Sequence, residues 1–388
     1  MFSERTGWNR RENELTLVLK RLLSAGGKIL DLTRANPTEC GFTYDEEGIA
    51  RALTAGEVPR YQPDARGMVA AREAAAAYYR NAHQNDVAAD DLILTSGTSE
   101  AYSFLFRLLC NAGDEVLIPA PGYPLFDFLA DLCDVKLVRF ALVYNHGWQI
   151  DFAALAAAAT ERTRAVIVVH PSNPSGQYVS KAEQGQLAEF CRKRGIALIA
   201  DEVFLDFSLR EDPARSFVTA DGALTFTLSG LSKICGMPQM KLAWIATSGP
   251  EAEKREALAR LELIADAYLS VSTAAQSAAA ELLEMRGAFQ KQVMARVDQS
   301  LLQLDRQLAR QKVCSRLECE GGWTAVLRVP AVHSDEELAI ALLKEHGVLV
   351  HPGHFYDFSQ PGHIVVSLIV PEQEFAEGLR RILAHFTD

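Results

Sequence analysis

No stretch of this sequence is apolar for long enough to cross a bilayer, and its first residues, MFSERTGWNRRENE, are charged where a secretion signal would be apolar. Membrane association and export are disfavoured, and a cytoplasmic location is expected. Basic charge is also in short supply. With 39 Lys and Arg against 50 Asp and Glu, the net charge is −11, the wrong sign for neutralising a phosphate backbone. Nucleic acid is thus set aside as a partner in favour of small molecules. Seven cysteines, scattered from Cys40 to Cys319 without a C-x-x-C pair, suit neither a disulfide framework nor a zinc site. They are expected as reduced thiols, and no metal is expected. Repeats of fixed period are missing too, as is the G-x-G-x-x-G turn that a dinucleotide site places after its first strand.

What is present is a long, apolar chain. Its 388 residues, 48% of them hydrophobic, exceed what one core usually holds and predict two domains. From about residue 69, helical segments alternate with short apolar runs: LILTS (92–96), EVLIP (115–119), AVIVVH (165–170), ALIAD (197–201), LTFTLS (224–229) and LAWIAT (242–247). That texture predicts a parallel sheet wrapped by helices. Beyond residue 270 it gives way to a long charged helical stretch, then GGWTAVLRV, SDEELAIALLKEHG, HIVVSLIV and a closing helix, an α+β pattern. The expected division is a large α/β domain over 46–275 and a smaller α+β domain from 1–45 and 276–388.

In open parallel sheets, ligands sit beyond the carboxyl ends of the strands, so the residues just after each apolar run are the informative ones. LILTS runs into Gly97-Thr98-Ser99 and a helix, which reads either as a phosphate cradle or as an ordinary helix start. AVIVVH leads to Asn173 in a proline-rich turn, and ALIA ends at Asp201, a carboxylate or a helix cap. SGLSKICG then sets Lys233 among small residues. A cradle, an amide, a carboxylate and a lysine at one sheet edge suit pyridoxal 5′-phosphate. The lysine forms an imine, the carboxylate keeps the pyridine nitrogen protonated, and the amide bonds the ring 3-oxygen.

With these residues in hand, the chain resembles the fold-type I pyridoxal-phosphate aminotransferases of class I/II. The resemblance rests on YQPDARGMVAAREAAAAYY, SGTSEAY, PAPGYPLF, HPSNPSGQ, ADEVF, SGLSKICGMPQMKLAW and GVLVHPGHFYDF, in family order and spacing. It implies a large domain with a mostly parallel seven-stranded sheet flanked by helices, plus a smaller α+β domain. It implies that Lys233 is catalytic, that Asp201 pairs with the ring nitrogen, that Asn173 bonds the ring oxygen and that Tyr123 stacks on the ring. Gly97, Thr98 and Ser99 would hold the phosphate, with Lys241 where the family usually has arginine. Tyr61 would reach the neighbouring subunit's cofactor in a homodimer.

Phe204 stands where many members have a tyrosine, leaving Asn173 more nearly alone at the ring oxygen. A further departure bears on substrate. Members read R-(I/L)-S near the C-terminus, the arginine gripping the substrate carboxylate; here HIVVSL aligns Val365 with it. Arg34 is one candidate replacement, with Ala35 and Phe355 beside the substrate; Arg328, His354 and His363 are others. Trp323 and Tyr356 are possible pocket walls. The expected function is amino-group transfer between an amino acid or amine and a 2-oxo acid by a ping-pong cycle. The alternatives are elimination, decarboxylation or oxidation on the same cofactor, and a non-catalytic regulatory protein, which an intact Lys233 and the acidic charge disfavour.

Overall fold

The computed structural model describes residues 1–56, 60–211 and 215–386. A helix, Glu14–Ser24, opens the ordered core of the chain, its start closed by the Asn13 side chain accepting the Thr16 N–H at 2.8 Å. A short strand, β1 (Leu30–Asp31), follows. The next eight strands form one sheet: β2 (Leu92–Thr95), β3 (Glu115–Ala120), β4 (Lys136–Tyr144), β5 (Trp148–Ile150), β6 (Thr163–Val169), β7 (Ala197–Asp201), β8 (Thr225–Gly230) and β9 (Ala243–Ser248). Their spatial order is β2-β9-β8-β7-β6-β3-β4-β5.

Five of these strands, β8, β7, β6, β3 and β4, are parallel neighbours. β9 runs against both β2 and β8, so β2 points the same way as the parallel set. The six apolar runs seen in the sequence are all strands here. β4 escaped that search because its side chains alternate between half-buried and exposed near the sheet edge, so KLVRFALVY carries no continuous apolar block. β5 is a three-residue addition to the seven strands expected, hydrogen-bonded antiparallel to β4.

Alternate residues of the central strands point to opposite faces, and both faces are covered. Ile93, Ile118, Ile167, Ile199 and Leu228 pack on the helices Thr98–Leu109 and Glu251–Asp266. Val166, Val168, Leu198 and Ala200 meet Leu187 and Cys191 of the helix Lys181–Arg194 on the other face. Leu92, Leu94 and Trp244 join the helix Val69–His83 and residues up to Leu283 in a third cluster.

The remaining strands are β10 (Ser315–Arg316), β11 (Thr324–Arg328), β12 (Val348–Leu349), β13 (His351–Pro352) and β14 (His363–Ser367). Four of them make an antiparallel sheet in the order β10-β11-β14-β13, while β12 pairs in parallel with β1. The N-terminal Leu15, Val18 and Leu32 share a core with Val293, Leu342, Ile364 and Ile382, so the chain's start packs with its C-terminal region. The helix Asp335–His346 begins with a reciprocal Ser334/Glu337 cap and ends at Gly347, whose φ of +63° turns the chain directly into β12. All seven cysteines are free thiols. Among the described residues, no helix is long and apolar enough to cross a membrane.

Candidate active site

The direction of β2, β3, β6, β7 and β8 sends five carboxyl ends to one edge of the large sheet. A cavity of about 290 Å³ opens there, and its wall on this side includes Thr98, Tyr123, Asn173, Asp201, Ser232 and Lys233. Local packing explains why Lys233 arrives at that edge. β8 ends at Gly230, where a Cβ would lie 2.6 Å from the Ala243 Cβ of β9, so only glycine lets the strands stay close as the chain turns into the short helix Leu231–Ile234.

Asp201 is buried, and burial raises its carboxyl to about 6. Two hydrogen bonds oppose that shift: the Tyr102 hydroxyl donates to Oδ2 at 2.9 Å and the Val203 N–H to Oδ1 at 3.2 Å. Lys233 is held below its ordinary value by burial, with the Asp201 charge acting the other way. Its Nζ lies 5.1 Å from the Trp323 ring centre and 5.5 Å from that of Phe204. A partly desolvated amine therefore shares a cavity with a buried carboxylate. Tyr123 stands edge-on to Phe126, with ring centres 5.8 Å apart, and its hydroxyl is raised by burial and by Asp201.

Two features of this wall fit a phosphorylated aromatic aldehyde. The Asn173 amide, its Oδ1 buried and unpartnered, makes no side-chain hydrogen bond among the described residues, which leaves its Nδ2 free to donate to a ligand oxygen. Gly97 precedes the helix Thr98–Leu109, and a Cβ on it would lie 3.5 Å from Lys241 Nζ, so backbone N–H groups and an ammonium converge on one small space. Lys241 holds φ at +51° and is exposed, as is Ser99; neither lines the cavity proper. Tyr61 lies outside it too, 76% exposed.

The opposite wall comes from the small sheet and the N-terminal segment: Thr33, Ala35, Trp323, Thr324, His351, Tyr356, Val365 and Ser367. Ala35, Trp323, Tyr356 and Val365 thus stand at the cavity as the sequence suggested. Arg34 does not. Its guanidinium is ion-paired with Glu374, and none of Arg34, Arg328, His354, His363 and Phe355 lines the cavity. Arg328 lies over the Tyr144 ring, and His363 stacks on Phe358. Sequence reasoning missed Tyr102, Thr33, Ser367 and His351, although Tyr102 and His351 fall inside quoted motifs. No metal was expected; among the described residues, Glu345, His346 and His385 bring their donor atoms within 4.8 Å of one another, and none of them lines the cavity.

The profile of the family described as aminotransferase class I and II matches residues 39–382. The chain belongs to that family. The chain is 30% identical over 261 residues to the glutamate-pyruvate aminotransferase AlaA of Escherichia coli K12, a match covering 67% of the chain and 64% of that relative. The chain thus spans just under two thirds of that relative's length. The Haemophilus influenzae protein of the same name is 26% identical over 384 residues, covering 95% of the chain and 93% of the relative. Among solved structures, the alanine aminotransferase of Pyrococcus furiosus superposes over 100% of both chains with a TM-score of 0.88 at 23% identity. A Thermus thermophilus aspartate aminotransferase variant gives 0.84 over 99% of both chains at 24% identity. The fold is therefore that of the fold-type I aminotransferases, and elimination, decarboxylation or oxidation gains no support from these relatives.

Proposed function

We propose that this chain moves an amino group from an amino acid or amine to a 2-oxo acid in a ping-pong cycle, using pyridoxal 5′-phosphate held at the carboxyl edge of the large sheet. The observation that carries this reading is the meeting of Lys233 and Asp201 in one cavity. When bound, the cofactor supplies an electron sink for the substrate carbon that loses its proton. Lys233 would be the point of attachment and would carry that proton, a task for which a lowered pKa keeps more of the amine neutral. Asp201 would hold a proton on the ring nitrogen, and its carboxylate, which burial alone disfavours, would be stabilised in return. Asn173 would donate to the ring oxygen, unaided by Phe204, and Tyr123 would pack against the ring. Gly97, Thr98 and Ser99 hold the phosphate through N–H and hydroxyl groups, with Lys241 as a point charge in place of a planar fork.

The high exposure of Tyr61 supports a homodimer in which it reaches the cofactor of a second copy. The names of the alanine and glutamate-pyruvate relatives support small amino acids and 2-oxo acids as partners. The division into 46–275 and 1–45 plus 276–388 belongs to the same reading, with residues up to Leu283 packing on the large-sheet side. So does a cytoplasmic location. Borohydride reduction of the holoenzyme and peptide mapping is expected to tag Lys233, and a donor screen to convert the cofactor to its amine form. A tag elsewhere, or no conversion with any donor, sinks the proposal. Ammonia, carbon dioxide or peroxide released without an acceptor would replace transfer with one of the alternative reactions.

A further inference from the structure

The cavity poses a problem for any substrate of the proposed reaction. Among its described lining residues, Lys233 is the only ammonium or guanidinium, and that reading commits it to the cofactor. A carboxylate entering would lose its water with no fixed cation to meet it, a costly exchange. The strand register points to a substitute. Val365, aligned with the missing arginine, lies directly opposite His351 of β13 in the antiparallel pair. Residues so opposed send their side chains to the same face. His351 is the one imidazole among the described lining residues.

We infer that His351 receives the substrate α-carboxylate, taking the place of the guanidinium absent at Val365. This rests on the aminotransferase reading and deepens it. The Nδ1 of His351 lies 2.8 Å from the hydroxyl of Tyr356, and among the described residues no hydrogen bond engages its Nε2. A tyrosine hydroxyl can donate or accept, so it supports the ring in either protonation state. In the charged form, Nδ1–H donates to Tyr356 and Nε2–H is left for a carboxylate oxygen. Neutral donors stand nearby. Ser367, two residues along β14 from Val365, and Trp323 are both buried and line the cavity, and neither Ser367 Oγ nor Trp323 Nε1 has a hydrogen-bond partner among the described residues.

The surroundings make the charge conditional. Burial lowers the ring's pKa, and the Asp31 carboxylate, which accepts the Thr33 N–H and hydroxyl, partly restores it from β1. Tyr356 and Phe355 flank the ring from the turn Gly353–Tyr356, and apolar Val365 faces it from β14. Lys233, Asp201 and Tyr123 are the ionisable groups on the opposite wall. An arriving carboxylate adds a second negative charge beside the ring and draws a proton onto it. Binding is thus coupled to proton uptake, and it weakens as pH rises from the ring's pKa in the free protein to its higher pKa in the complex, levelling off above that. An arginine would show neither behaviour.

The test uses holoenzyme and an inert carboxylate, 3-phenylpropionate, titrated calorimetrically in two buffers of different ionisation heat. Over a pH series from about 6 to 9, uptake is expected to peak at more than about half a proton per carboxylate, between the ring's pKa values in the free protein and in the complex. His351→Leu should weaken it about ten- to a hundredfold, the worth of a charge-assisted hydrogen bond. His351→Arg should keep the binding and abolish the uptake. In turnover, His351→Leu should raise KM for an amino acid far more than it lowers kcat, while sparing the matched amine without a carboxylate. No carboxylate binding, binding without proton uptake, indifference to His351→Leu, or a wild-type preference for the matched amine would each overturn the inference. Absence of amino transfer with every donor would overturn the aminotransferase reading instead, leaving the calorimetric result to stand or fall alone.

Discussion

The large sheet brings a carboxyl and an amine, Asp201 and Lys233, to its side of the cavity, whereas the small sheet brings one imidazole among neutral side chains such as Trp323, Thr324, Val365 and Ser367. The first wall anchors its charges at strand ends and steadies Asp201 with the Tyr102 hydroxyl and the Val203 N–H. The second leaves Ser367 Oγ and Trp323 Nε1 without partners among the described residues. On the proposed reading, a resident cofactor justifies ionisable groups held out of water, because it pairs with them for as long as it stays. A transient substrate does not, and a wall that becomes charged only on contact avoids the desolvation cost between turnovers.

The sharpest way to break the contrast is to remove the Asp201 carboxyl. Asp201→Asn keeps the shape and the Tyr102 contact but cannot keep a proton on the ring nitrogen, so kcat should fall about a hundredfold or more. Binding of 3-phenylpropionate to the opposite wall should change by less than about threefold, since separated sites are nearly independent. A comparable loss in both readouts would show that the two walls act as one unit.

A smaller effect is expected at the phosphate end, where the charge is exposed. Lys241→Ala removes the ammonium beside Gly97 and should weaken cofactor affinity about tenfold by equilibrium dialysis, less at high salt. Lys241→Arg should retain or improve it. If alanine and arginine bind equally well, the helix N-terminus alone carries the phosphate.

These differences track what could be read without the structure. Each cofactor-wall residue follows a buried apolar run, so periodicity places Thr98, Asn173, Asp201 and Lys233 at a common edge, and the chemistry of the side chains does the rest. The substrate wall has no such marker. His351 stands opposite Val365 through a two-residue strand that no hydrophobic pattern announces, and the pairing is a matter of tertiary register. Arg34 misled for the same reason, because Glu374, 340 residues away, claims its guanidinium. Tyr102 lies within SGTSEAY, yet its bond to Asp201, 99 residues on, exists only because the helix Thr98–Leu109 packs across β7.

That bond supports the smallest prediction, on the cost of keeping Asp201 buried in cofactor-free protein. Its carboxyl sits near 6 when folded against an ordinary value of 3.8. Below about pH 4, folded and unfolded chains both hold the proton, so the group contributes nothing. As pH rises, the unfolded chain loses its proton first, and stability falls until the folded group ionises near pH 6; the full penalty, about 2 to 3 kcal/mol, persists above that. Tyr102→Phe removes a donor that favours the ionised form, so the folded pKa climbs further and the penalty above pH 6 deepens by about 1 kcal/mol. Buried Glu202, raised to about 7, slopes the same way in both proteins and cancels from the difference. Urea midpoints of cofactor-free wild type and Tyr102→Phe should therefore diverge between pH 4 and pH 8. A gap equally wide at both ends would mean that the hydroxyl packs beside Asp201 without tuning its charge.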